Sequence, residues 1–199
     1  YIVRGRIYLS LVAVKFCAHD TLFFDDGFSI EYMGKKLRGY WTEKFPDAVS
    51  ALKYCDEKHD ELRKQISLRN TRILRDGQRF GDDYCMLLSA AYREVIASHK
   101  LVKTDDGKLL YVSKNCTAGG FAAEVDVTYA SSPLFLLYNP SLIFAELNGI
   151  CDFARSAAWK FDFAPHDIGT YPIACGQTYG LKAEFDGDKA EIYSSSDDI

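Results

Sequence analysis

Residues 2 to 16 run Ile-Val-Arg-Gly-Arg-Ile-Tyr-Leu-Ser-Leu-Val-Ala-Val-Lys-Phe. This stretch of β-branched and aromatic types, partly alternating with period two, predicts a strand that Thr21 to Phe24 continue. From Phe28 to Tyr40 aromatic residues and glycine accumulate (Phe28, Tyr32, Gly34, Gly39, Tyr40), which predicts a tightly packed connector. A helix is expected from Pro46, whose missing N–H is harmless in a first turn, to about Arg69. Ala48, Leu52, Cys55, Leu62 and Ile66 then form one packed face among Lys, Glu and Asp. Asp76-Gly77 reads as a turn, and residues 81–101 carry the strongest helical period, with Leu87, Leu88, Ala91, Val95 and Ile96 on one face. Ser89, Ala90, Ala91 and Ala97 suit close packing against a second helix.

Beyond this helix Asp105-Asp106-Gly107-Lys108 predicts a hairpin turn into a strand at Leu109 to Ser113. Residues 114–131 are polar and irregular, with Gly119-Gly120. Within them Glu124, Asp126 and Thr128 alternate and would share one face if the segment is extended. Asn139-Pro140 reads as a helix start, Asn as cap and Pro in the first position, with the helix reaching about Ala158. Phe161 to Tyr179 is a long loop punctuated by Gly and Pro, the kind of segment where sites usually sit. No repeat recurs at a fixed spacing.

The chain has 199 residues, 48% hydrophobic and 26% charged, which excludes disordered, collagenous and coiled-coil classes. A chain of this size buries roughly 70% of the surface its unfolded form exposes, so no disulfide staple is required. With 24 basic and 28 acidic residues the net charge is -4, and neither nucleic acid nor an anionic membrane finds an electrostatic footprint. The longest apolar runs fall well short of the roughly 20 residues needed to span a bilayer. Tyr1 opens the chain inside strand-like sequence and a polar tail closes it, so both ends read as cut. Six cysteines are far apart and show no metal-ligand spacing; free thiols are expected.

Chemistry concentrates in Trp159-Lys-Phe-Asp-Phe-Ala-Pro-His-Asp-Ile-Gly-Thr-Tyr-Pro172, which sets the imidazole of His166 beside the carboxylate of Asp167. A neighbouring carboxylate favours the imidazolium and orients the ring, as acid–base work requires. The bland alternative is a pair of turn and helix caps. Glu124 and Asp126 form a second candidate pair, since two close carboxylates can divide acid and base roles. Lys114, Asn115 and Thr117 could hydrogen-bond a small polar substrate. His99-Lys100 suits the negative end of the preceding helix, and His19 and His59 read as surface residues. No serine-elbow, zinc-protease, phosphate-loop or dinucleotide motif occurs, and no metal or other cofactor is demanded.

Four segments taken together resemble the central region of the secreted glutaminase A family. They are Ser29 to Trp41; Ala91-Tyr-Arg-Glu with Ala97 to Val102; Val125-Asp-Val-Thr-Tyr to Pro140; and Phe163 to Pro172. The likeness covers about residues 20–180 in order, and departs at Cys175, where Asn is more usual. It implies an α+β, mainly helical fold: a partial α/α toroid of few helical hairpins, similar to six-hairpin glycosidases, behind a short β-rich N-terminal segment. Residues 1–27 would end a preceding β domain and residues 28–199 would form the helical region. It further implies a secreted or periplasmic hydrolase taking L-glutamine to glutamate and ammonia, with the remaining domains of the same polypeptide as partners. Asp126, His166 and Asp167 are the catalytic candidates, one acid activating water and His166 protonating ammonia. Tyr129, Lys114, Tyr171 and Glu124 are the substrate-binding candidates. Two other readings stand beside it: a toroid-type glycoside hydrolase with Trp41, Trp159, Tyr171 and Tyr179 stacking on sugars, and a non-catalytic structural or carbohydrate-binding module.

Overall fold

The computed structural model describes residues 14–16, 19–21, 23–114, 119–178, 182–187 and 189–193. Most of the first predicted strand lies outside these, as do Asn115, Thr117 and Tyr179. The chain divides into two compact units, residues 1–27 with 40–93, and residues 28–39 with 94–199.

In the first unit β1 (Val14–Phe16) pairs antiparallel with β2 (His19–Thr21). The helix expected from Pro46 to Arg69 is two helices, α1 (Ala48–Glu57) and α2 (His59–Gln78), separated at Lys58. Asp47 rather than Pro46 sets the start, because its Oδ1 accepts from Ser50 N at 2.7 Å and satisfies one of the unpaired N–H groups of the first turn. Asp76-Gly77 is not the turn. Gly77 lies inside α2, and a Cβ there would stand 3.3 Å from Cys85 Cα and 3.1 Å from Leu88 Cδ2, so glycine lets α3 (Asp82–Ala97) approach. The chain reverses instead at Gly81, whose φ of 100° suits glycine. Leu88 and Val95 of the predicted α3 face are partly buried, whereas Leu87, Ala91 and Ile96 are exposed.

The second unit begins with a hairpin where a connector was expected: β3 (Ile30–Tyr32) pairs antiparallel with β4 (Lys35–Leu37). Met33 and Gly34 both take positive φ, 47° and 78°, as a two-residue primed turn requires. Residues 99–101, read as the end of the strong helix, open strand β5 (His99–Lys103), which pairs with β6 (Leu109–Ser113) across the predicted Asp-Gly turn. Val102 in one segment and Tyr111 and Val112 in the other suit strands, and their cross-strand pairing overrides the helical period that runs into them. Next comes a helical hairpin, α4 (Val125–Tyr138) and α5 (Ser141–Arg155), so Glu124, Asp126 and Thr128 do not alternate along a strand. Asn139 ends α4, its N–H donating to Phe135 O at 2.7 Å, and Pro140 rather than Asn139 stands before α5, which stops short of Ala158. Strand β7 (Ile173–Ala174) joins β3 in parallel, and β8 (Lys182–Asp186) pairs with β9 (Lys189–Tyr193).

The core of this unit gathers Ile30, Tyr32, Val102, Leu110, Val112, Phe153, Trp159 and Ile168 around α5. Ala145, Gly149, Ile150 and Phe153 recur at helical spacing on its buried face. Each large apolar side chain sequestered here contributes about 1.5–3 kcal/mol. Tyr32 Oη donates to Gly149 O at 3.0 Å, and burial raises its pKa, so the phenol stays a donor. Cys55, Cys85, Cys151 and Cys175 are free thiols, as expected. The architecture is mainly helical α+β with small sheets, and no described helix is long and apolar enough to cross a membrane.

Candidate active site

Backbone bonds fix a loop against a short extended segment. Ala122 N donates to Gly169 O at 2.7 Å, Ile168 N to Ala122 O at 3.0 Å, and Tyr171 N to Gly120 O at 2.7 Å. Val125 N, in the first turn of α4, donates to His166 O at 2.9 Å, which ties the loop to that helix start. Gly169 is indispensable to the bend: its φ is 131°, and a Cβ would stand 2.4 Å from Ile173 O. On this frame the side chains of residues 124, 126, 166 and 167 converge.

Asp167 is wholly buried. Its Oδ1 accepts from Gly169 N at 2.9 Å and from Thr178 N and Oγ1, both at 2.8 Å. Its Oδ2 lies 2.9 Å from His166 Nδ1. A buried carboxylate so supplied with donors keeps its position. It is therefore no group for activating water, one of the roles expected of it, because water does not reach it. It holds the imidazole instead.

The His166 side chain is 48% exposed, and its Nε2 lies 3.6 Å from Oε1 of Glu124, whose side chain is 7% exposed. The His166 pKa is raised, first by the hydrogen bond to Asp167; burial opposes this as the next largest effect, and the charges of Asp167, Glu124 and Asp126 add to the rise. Phe121 packs its ring edge-on to the imidazole, centroids 5.6 Å apart, and His166 N donates to Gln177 Oε1 at 2.9 Å. Glu124 immediately precedes α4, where the positive helix end favours a carboxylate. Asp126 is exposed in the first turn, its Oδ1 accepting from Val127 N at 2.8 Å. One ligand atom from each of Glu124, Asp126 and His166 lies within 4.8 Å of the others.

The remaining candidates lie outside this group. Lys114 sits over the ring of Tyr171, Nζ to centroid 5.7 Å, and Tyr129 projects from α4 with 82% exposure. Trp159, expected to stack on sugar, is buried and packs on Phe153. Sequence reasoning missed Thr178 and Gln177, which stand eleven residues from their partners and carry no motif. It also missed a second assembly. His99, expected as a helix cap, does bond Val95 O of α3 through Nδ1 at 2.6 Å, but it is a buried residue of β5. Its Nε2 approaches Glu146 Oε1 of α5 to 3.1 Å without the alignment of a hydrogen bond, and both side chains are 1% exposed.

A half-exposed imidazole thus lies between two buried carboxylates, on a loop bonded to the start of a helix. The family described as the glutaminase A six helical-hairpin domain matches residues 81–189. The chain belongs to the glutaminase A family. Over 136 residues it is 26% identical to a protein of Arthroderma benhamiae named "Probable glutaminase". That alignment covers 68% of this chain, and the chain spans about 16% of the length of the relative. No solved structure matches the chain.

Proposed function

We propose that this chain carries the acid–base group of a glutaminase, and that the full polypeptide hydrolyses the side-chain amide of L-glutamine to glutamate and ammonia. One observation carries the reading: in the half-exposed His166 ring Asp167 holds Nδ1 while Nε2 faces Glu124 at 3.6 Å. The printed name of the relative supports the substrate.

In this reading Glu124 takes a proton from water as the water oxygen bonds to the amide carbon. His166 delivers a proton from Nε2 to the nitrogen as the C–N bond breaks, so that ammonia departs and the carboxylate remains. Asp167 stabilises the imidazolium and fixes the ring plane. Asp126 adds negative potential, and Tyr129 is the candidate donor to the developing oxyanion. The buried Trp159 removes one support from the glycosidase alternative. The same reading makes the protein secreted or periplasmic and gives it the remaining domains of its own polypeptide as partners.

Ammonia release from L-glutamine by the full-length polypeptide tests it. Glu124→Gln should lower the rate by about 10²–10⁴-fold, the usual contribution of a positioned acid or base. Turnover of oligosaccharides without glutamine, or of neither, overturns the reading in favour of a glycosidase or a non-catalytic module.

A further inference from the structure

We infer that Glu124, Asp126 and His166 also form a binding site for a divalent transition metal of the zinc class, and that an ion there inhibits the hydrolysis proposed above. The second half rests on that proposed function; the first does not.

The geometry is that of a three-ligand site slightly open. Their ligand atoms lie within 4.8 Å of one another. Bonds of about 2.0–2.2 Å to a tetrahedral ion set ligands somewhat closer than that, with a fourth position left for water. Asp126 is exposed, and closing the remaining gap requires its side chain to move. The 3.6 Å between His166 Nε2 and Glu124 Oε1 is too long for a hydrogen bond and suits two atoms bridged by one ion.

The ring is already presented as metal-bound imidazoles are. Asp167, outside the three ligands and wholly buried, takes His166 Nδ1 at 2.9 Å and is itself held by Gly169 and Thr178. A carboxylate behind the imidazole fixes the tautomer that turns the Nε2 lone pair outward and raises its donor strength. One imidazole nitrogen with two carboxylate oxygens selects a borderline ion such as zinc over calcium or magnesium, which favour oxygen alone. Two carboxylates offset the dipositive charge and outweigh the positive end of α4. An ion on Nε2 occupies the atom that would otherwise carry a proton to ammonia, hence inhibition.

The test is calorimetric titration of chelator-treated full-length polypeptide with zinc chloride, beside ammonia release at the same zinc concentrations. One zinc per chain is expected, with affinity reduced at least tenfold in Asp126→Asn, an exposed position where folding is not at stake, and in His166→Ala. The half-inhibiting zinc concentration should rise by a similar factor in Asp126→Asn. Absence of zinc binding by the wild type, or binding that neither substitution weakens, overturns the site. Zinc binding that both substitutions weaken, in a protein that does not turn over glutamine, upholds the metal site and removes the hydrolase reading.

Discussion

The second unit contains two histidine–carboxylate assemblies built from similar parts. Around His99 everything is closed: Tyr111 stacks on the ring at 4.7 Å, Phe135 meets it edge-on at 5.8 Å, and Glu146 is as buried as the imidazole. Around His166 one face is closed by Asp167 and Phe121, and the other is open to water beside Glu124. Both rings spend Nδ1 on an oxygen, Val95 O in one case and Asp167 Oδ2 in the other. Only the second ring is half-exposed. Under the proposed function, access rather than pairing with a carboxylate separates the chemical histidine from the structural one.

The largest expected stability effect lies in the closed assembly. Glu146 Oε1 accepts from Ser131 Oγ at 3.0 Å, whereas Oε2 has no hydrogen-bond partner among the described residues. Glu146→Ala should cost about 3–5 kcal/mol in denaturant unfolding, because it leaves His99 buried without its counterpart. The double substitution His99→Phe with Glu146→Leu should recover most of that loss, since well-packed apolar residues of similar volume commonly replace a buried polar pair at little cost. If the double variant is as unstable as the single one, the closed assembly is more than a packing device.

A smaller effect is expected where the open assembly is anchored. Gly169→Ala sets a Cβ into the Ile173 carbonyl at a φ of 131°, and should cost at least about 1–3 kcal/mol while displacing Asp167 from His166. The smallest is His166→Ala, which should destabilise by about 1 kcal/mol, because water can take the vacated place beside Asp167 Oδ2. A melting curve shifted as far as that of Glu146→Ala would erase the contrast between the two histidines.

The parts of the fold legible in sequence were those set by local chemistry: the turn at Asp105 to Lys108, the strand after it, and the helix boundary at Asn139-Pro140. Errors arose where one pattern served two structures. Helical period ran past Ala97 into β5, and alternation at residues 124–128 described the first turn of α4 equally well. Gly77 looked like a turn because sequence cannot show that α3 needs its missing Cβ. Adjacent residues 166 and 167 made their pairing readable. The clamp from Thr178 and the meeting of His99 with Glu146 depend on contacts 11 and 47 positions apart, which only the folded chain reveals.

The central claim is that the open histidine performs chemistry and the closed one does not, and glutamine turnover by the full-length polypeptide measures it directly. His166→Ala should lower ammonia release by about 10²–10⁴-fold at nearly unchanged melting temperature, while the His99→Phe, Glu146→Leu double variant keeps the wild-type rate within about threefold. A His166→Ala protein as active as wild type would contradict the account.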